Sequence, residues 1–174
     1  MMGAGKSSVG RCLRRRMGLE LLDIDEVVTS NFGMSIPEIF AEHGEEKFRE
    51  AETEALRRVR TEEQTIIITG GGIVLRKENV EILKRQVAVV WLDADEETLF
   101  ARASWKQNRP LLQTKNPRKT FSQILGARRP LYANIANIRV DTSVLTDEEV
   151  AVAILTKLRR MNPTPESPIR AKAS

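Results

Sequence analysis

At 174 residues, 41% hydrophobic, 30% charged and 5% aromatic, the chain has the size and composition of one compact domain. No apolar run approaches the ~20 residues of a membrane helix, and no basic-then-apolar signal segment opens the chain, so a soluble, cytoplasmic protein is expected. One cysteine and one histidine exclude a disulfide framework, a cysteine metal cluster and most histidine chemistry, while 28 basic residues against 24 acids suit an anionic small ligand.

The chain opens on a phosphate-binding signal. Gly3-Ala4-Gly5-Lys6-Ser7-Ser8 is the last part of a Walker A loop and leads into a helix expected to run through Val9 to about Met17. Glycines let successive N–H groups converge on phosphate oxygens, and the helix N-terminus adds its dipole. Lys6 neutralises charge on the β- and γ-phosphates, and the Ser7 hydroxyl can ligate Mg²⁺. The full motif has a further glycine before Met1, and a buried strand normally launches the loop. About five or six buried apolar side chains in that strand would be worth ~10 kcal/mol, against ~5–15 kcal/mol for a whole domain. Met1-Met2 is therefore expected to be the interior of a longer chain.

Next comes a short strand ending at Leu21-Leu22-Asp23. Alternation would point Asp23 and Asp25 to one side at the strand's C-terminal end, where open α/β sheets bind ligands. One carboxylate suits a metal and the other a substrate hydroxyl, although Asp25 also suits a helix N-cap. Ser35-Ile36-Pro37-Glu38 is a capping box, and Phe48, Ala51, Ala55, Leu56 and Val59 recur at helical spacing as a core stripe. Arg49 lies on a neighbouring face that can look into a cleft, with Glu52 three residues on to hold it; the alternative is a solvated ion pair of little worth.

Thr65 to Thr69 and Val87 to Leu92 are the clearest strands, their unbroken apolar runs indicating burial on both faces. Gly70-Gly71-Gly72 directly follows the first, where missing side chains let a ligand touch the backbone. Arg109 precedes Pro110-Leu111-Leu112 and a polar stretch to Lys119, which reads as a mobile flap. Folded over nucleotide, it would exclude water and bring Arg109 to the transferring phosphate. A weaker strand covers Ile138 to Asp141, and a second capping box, Thr146 to Glu149, opens a helix with a Val150, Ile154, Leu158 stripe. The segment from Asn162 to Pro168 breaks any helix, so 161–174 is expected to be a disordered tail after a domain spanning 1–160. Short apolar runs alternating with amphipathic helices predict an α/β fold, a parallel sheet with helices on both faces. Cys12, Trp91 and Trp105 read as packing residues, Arg14-Arg15-Arg16 as a solvated group at a helix end, and His43 as a loop or helix-end residue.

These motifs match one family in order and spacing. Gly3-Ala4-Gly5-Lys6-Ser7, Leu22-Asp23-Ile24-Asp25, Gly44-Glu45 with Phe48-Arg49 and Glu52, Gly70-Gly71-Gly72, Arg109-Pro110-Leu111-Leu112, Arg128-Arg129-Pro130-Leu131-Tyr132 and Arg139-Val140-Asp141-Thr142 together resemble shikimate kinase, over roughly Met2 to Leu158. The resemblance implies a three-layer α/β/α P-loop kinase fold with strand order 2-3-1-4-5, strand 1 being absent from this chain, and a lid at about 110–120. It implies ATP and Mg²⁺ as cofactors and shikimate as the partner, with no nucleic acid, no membrane and a monomeric state. The reaction implied is phosphorylation of the 3-hydroxyl of shikimate, a step of aromatic amino-acid biosynthesis. By the same resemblance Asp23 lies near Mg²⁺ with Ser7, Asp25 contacts the shikimate hydroxyls, Arg49 and Arg128 clamp its carboxylate, Gly70, Gly71 and Gly72 lie against its ring, and Arg102 packs on adenine. Gly3, Ala4, Gly5, Lys6, Ser7, Ser8 and Arg109 would hold the phosphates. A gluconate kinase-like enzyme of the same architecture, or a nucleotide-binding module with little turnover, are the competing readings.

Overall fold

The computed structural model describes residues 1–59, 64–86, 88–105 and 109–161. The helix after the phosphate loop, α1, is Lys6–Met17 and ends on Gly18 in the left-handed conformation. It is followed by β1 (Glu20–Asp23), α2 (Ile24–Phe32), α3 (Ile36–Arg57), β2 (Thr65–Ile68), a 3-10 turn (Ile73–Leu75) and α4 (Lys77–Lys84). The second half has β3 (Val90–Asp93), α5 (Glu96–Ser104), a 3-10 turn (Pro110–Leu112), α6 (Pro117–Ile135), β4 (Ile138–Asp141) and α7 (Asp147–Met161). No described helix is long and apolar enough to cross a membrane.

The strands pair in parallel, as helical crossovers require. β1 runs beside β2 with Leu22 opposite Ile67, and β3 beside β4 with Leu92 opposite Val140. Among the described residues these are two separate two-stranded sheets, the outer pairs of the expected 2-3-1-4-5 order. β4 alternates buried and exposed positions, so only Ile138 and Val140 face the core. Helix α1 packs on β1, β2 and α7, and α7 covers β4. Ile24 and Val28 of α2, Ile39 and Leu56 of α3, Leu99 of α5, Phe121 and Leu125 of α6, and Val150 and Ile154 of α7 join one buried cluster.

Local chemistry explains the helix ends. Ser35 N–H donates to Glu38 Oε2 at 2.8 Å, and Thr146 with Glu149 exchanges the same reciprocal bonds at 2.8 and 3.3 Å. The helix expected from Ser35 onward is interrupted at Gly44, whose φ of 78° and ψ of 166° only glycine adopts without strain, so the chain bends before Phe48. His43 sits at that bend, its ring 5.2 Å from Phe32. Val59 falls beyond the helix end.

Several expectations are corrected. β3 begins at Val90 rather than Val87, a residue that lies outside the described ones, as does the expected tail from 162 onward. The polar flap is shorter than expected: Pro117 opens α6, with the Asn116 side chain accepting from Lys119 N–H at 3.1 Å. Arg118 then forks onto Glu97 and lies over the Phe100 ring at 4.9 Å. Trp105 is not a packing residue; it is 91% exposed, because α5 ends before its ring can reach the core. Arg15 and Arg16 are exposed but not merely solvated, since both hold Glu148 of α7. Cys12 and Trp91 are buried as expected.

Candidate active site

The phosphate loop has the conformation its glycines allow. Gly3 and Gly5 have φ of 76° and 81°, and a side chain on Gly3 would run into the Leu99 backbone. Gly5 is the N-cap, so the positive end of the helix dipole opens at Lys6, where an anion is favoured. No acidic side chain occupies that turn. Lys6 Nζ donates to the Met1 carbonyl at 2.9 Å, Arg11 donates to the Ser8 hydroxyl at 3.3 Å, and the hydroxyl of Ser7 reaches Asp23 Oδ2 at 3.4 Å. One hydroxyl and one carboxylate fit Mg²⁺, which keeps most of its coordination for water and phosphate oxygens. No cluster of three or more metal-ligating side chains exists among the described residues, in line with such a sparse donor set.

The two aspartates reach the site by a different route from the one expected. β1 stops at Asp23 and α2 begins at Ile24, so strand alternation does not set the pair. Asp23 is the N-cap of α2, its Oδ1 accepting from Asp25 N–H at 3.0 Å; Asp25, in the first turn, is free of that duty. Asp25 Oδ1 is buried with no hydrogen-bond partner. Burial, then the neighbouring Asp23 charge, pushes the Asp25 carboxyl above its ordinary range, while Lys6, Arg109 and Arg49 pull it back.

Arg49 and Glu52 are far from a solvated surface pair. They are 7% and 0% exposed, with Arg49 Nη1 donating to Glu52 Oε2 at 2.5 Å and Nη2 to Glu45 Oε1 at 2.8 Å. Burial raises the Glu52 carboxyl against the pull of Arg49. Burial disfavours the Arg49 charge, yet Glu52 and Glu45 outweigh it and keep the guanidinium protonated. The triglycine run fits around this pair. A Cβ on Gly72 would land on the Arg49 guanidinium, and one on Gly70 would run into Glu52 Oε1 and stand 2.8 Å from Asp25 Oδ1. Those two positions have no room for a side chain, as a backbone-lined site requires.

Arg128 projects from α6 and is 6% exposed; its charge acts on Glu52 and Tyr132, as does that of Arg49 on both. The adjacent Arg129 turns away to the Ala94 carbonyl at 2.8 Å and to Asp93 at 3.5 Å. Arg109 is half-buried, its Nε unpartnered, and its charge reaches Asp25. Arg102 is pinned to the loop after β4 by bonds to the carbonyls of Thr142 and Ser143 at 3.0 and 3.3 Å. Thus Lys6, Asp23, Asp25, Arg49, Arg109 and Arg128 are joined by overlapping interactions, while Arg102 stands on the β4 side.

Sequence reasoning passed over three contributors. Glu45 is one turn before Arg49, and Tyr132 one turn after Arg128, spacings that helical periodicity makes visible. Tyr132 Oη donates to the Gly71 carbonyl at 2.5 Å. Asp93, 1% exposed and bound by Arg139 at 2.7 Å, had no such local signal because its partners are remote in sequence.

Known proteins are similar to this chain along most of its length. The family model described as shikimate kinase matches residues 2–159. A shikimate kinase of Thermodesulfovibrio yellowstonii is 40% identical over 161 residues, covering 92% of each chain. One of Moorella thermoacetica is 44% identical over 158 residues, covering 91% of this chain and 88% of its own. Among solved structures, shikimate kinase from Acinetobacter baumannii in complex with shikimate superposes with a TM-score of 0.89 at 35% identity, covering 94% of this chain and 91% of that one. Buried paired arginines, a glycine phosphate loop and a side-chain-free triglycine turn meet here in a chain that belongs to the shikimate kinase family, phosphotransferases of the P-loop kinase fold.

Proposed function

We propose that this chain transfers the γ-phosphoryl group of ATP to the 3-hydroxyl of shikimate, with the residue roles that follow. The observation carrying this reading is that the triglycine turn after β2 is built against Asp25 and Arg49 together: a Cβ on Gly70 would stand 2.8 Å from Asp25 Oδ1, and one on Gly72 would land on the Arg49 guanidinium. An acceptor for a hydroxyl proton and a cation for a carboxylate thereby line one backbone-walled turn.

Phosphoryl transfer is mostly alignment and charge stabilisation. The first-turn N–H groups after Gly5, with Lys6, bind the phosphates. Ser7 and Asp23 would hold Mg²⁺, which would supply charge neutralisation at the phosphates. Arg49 and Arg128 take the shikimate carboxylate in charge-assisted bonds, the geometry guanidinium suits best. Asp25 accepts the hydrogen bond of the attacking hydroxyl and orients its oxygen. The new P–O bond forms to that oxygen, the bond from γ-phosphorus to the β-phosphate oxygen breaks, and the hydroxyl proton leaves through Asp25. Arg109, on the segment that covers the phosphates, offsets charge on the moving group. Arg102 offers a flat cation, fixed by the loop after β4, for adenine to stack on.

The test is turnover of ATP with Mg²⁺ in parallel on shikimate and gluconate. Shikimate is expected to release ADP stoichiometrically with a phosphorylated product. Preference for gluconate, a linear polyhydroxy carboxylate, refutes the substrate assignment, because the site would then not be shaped for a ring. Nucleotide binding without turnover on either substrate refutes the catalytic one.

A further inference from the structure

Tyr132 has no part in the reading above, yet it ties the acceptor side of the site together. It is buried, one turn beyond Arg128 on α6, so the two side chains share a helix face. Its ring packs 5.9 Å from that of Trp91, and its hydroxyl donates to the Gly71 carbonyl at 2.5 Å. The carbonyls of Gly70 and Gly72 are taken within their own turn, by the N–H groups of Ile73 and Leu75 at 3.3 and 3.0 Å. That of Gly71 is held from outside.

Met1 closes the same side of Gly71. A Cβ there would stand 3.3 Å from Tyr132 Oη and 3.4 Å from Met1 Cα, and the Met1 carbonyl is the acceptor of Lys6 Nζ. Gly71 thus packs against both the Tyr132 hydroxyl of α6 and the backbone entering the phosphate loop. Three successive glycines form the most permissive backbone a chain can have, so their orientation needs an external fix. The Gly71 carbonyl and the Gly72 N–H belong to one planar trans peptide and point in opposite directions. Fixing the carbonyl toward Tyr132 therefore fixes the Gly72 N–H away from α6, on the residue whose Cα faces the Arg49 guanidinium.

We propose that Tyr132 is a positioning residue for the acceptor substrate: its hydroxyl orients the Gly71–Gly72 peptide that the substrate meets beside Arg49 and Arg128. This rests on the shikimate reading of the site. A phenol is required rather than a ring alone, since the bond, not the packing, sets the peptide. Burial pushes the phenol above its ordinary range against the pull of Arg128.

The test is Tyr132→Phe, which keeps the ring on Trp91 and removes the hydroxyl. Loss of one neutral hydrogen bond predicts a shikimate KM raised about three- to tenfold, with ATP KM within about twofold and kcat within about threefold of wild type. Gly71→Ala presses on the same bond from the loop side, its Cβ 3.3 Å from Tyr132 Oη, and is expected to raise the shikimate KM as well. Faster amide exchange confined to 70–73 in Tyr132→Phe would accompany it. An unchanged shikimate KM in both variants, or ATP and shikimate KM rising together, overturns the proposal. Turnover of shikimate by the wild-type chain is the separate test of the reading beneath it, so an active wild type with unshifted variants overturns the positioning role alone.

Discussion

Gly72→Ala isolates the substrate clamp from the rest of the molecule. Gly72 has φ of −91° and ψ of −5°, which alanine adopts freely, so the backbone carries no penalty. Restriction of the unfolded chain would by itself stabilise the variant by ~0.4–1 kcal/mol. The new Cβ, however, lands on Cζ, Nη1 and Nη2 of Arg49, and only a displaced guanidinium relieves the clash. Displacement breaks the 2.5 Å bond to Glu52, which is 0% exposed. Losing one partner of a buried pair costs ~3–5 kcal/mol. Arg49 moves rather than disappears, and Arg128 also reaches Glu52, so the net loss is about 2–3 kcal/mol. At ~2–4 °C per kcal/mol for a chain of this size, melting falls by roughly 4–12 °C. In catalysis the missing charge-assisted bonds to the carboxylate, ~1.5–3 kcal/mol, lower kcat/KM for shikimate about 10- to 150-fold, with ATP KM unchanged because the phosphate loop is untouched. Steady-state kinetics with each substrate varied, alongside a thermal melt, measures both. Gly33→Ala is the control: φ is +64° with nothing within 4 Å, so it loses ~1 kcal/mol to backbone strain and keeps wild-type kinetics. A wild-type shikimate KM in Gly72→Ala would refute the placement of Arg49.

Asp25 and Glu52 both have carboxyls raised by burial, so the folded state holds their protons more tightly than the unfolded chain does. Their contribution to stability is present below the ordinary carboxylate range near pH ~4 and is lost as pH rises through the raised values. Asp25→Asn is therefore expected to gain melting temperature relative to wild type between about pH 4 and 7 while losing turnover; a difference that stays flat with pH would contradict the burial argument. Asp23→Asn should raise the Mg²⁺ concentration for half-maximal rate by about 10- to 100-fold, the usual cost of an outer ligand, and an unaltered Mg²⁺ titration would remove Asp23 from the metal. Arg109→Ala should lower kcat ~10²-fold with little change in shikimate KM; a loss confined to KM would place Arg109 in binding rather than in transfer.

Much of this site could be read from the sequence because its parts are local. The phosphate loop, the triglycine turn after β2 and the pairing of Arg49 with Glu52 each lie within a few residues, and their spacing states their geometry. The strands were legible in their apolar runs, though β3 starts later than its run, since Val89 uses its carbonyl to receive Asn137 and Ile138 N–H at the start of β4 instead. What escaped depends on tertiary pairing. Asp23 and Asp25 were expected to be placed by alternation, but a cap bond decides where β1 ends. Trp105 carries a large apolar ring and is nevertheless exposed, because nothing in a single sequence says which helix face lacks a neighbour. Tyr132 served only as a spacing marker until the fold put its hydroxyl on Gly71, 61 residues away.

The unpaired atoms of the free protein explain why so much of the site is buried before any ligand arrives. Six buried side-chain polar atoms lack a partner among the described residues, and three of them, Asp25 Oδ1, Glu52 Oε1 and Arg109 Nε, belong to the cleft. Each such atom costs ~1–3 kcal/mol while unsatisfied. A ligand with hydroxyls and a carboxylate at the right places lets those atoms recover hydrogen bonds; an apolar or uncharged analogue leaves them unsatisfied. Discrimination then comes from what the wrong ligand fails to satisfy, which is the stronger form of selectivity because it acts through desolvated groups. The same burial holds Arg49, Glu52 and Arg128 in single orientations, so little rotamer entropy is lost when the acceptor binds. Stability given up in the free state and accuracy in the bound state are two consequences of one arrangement.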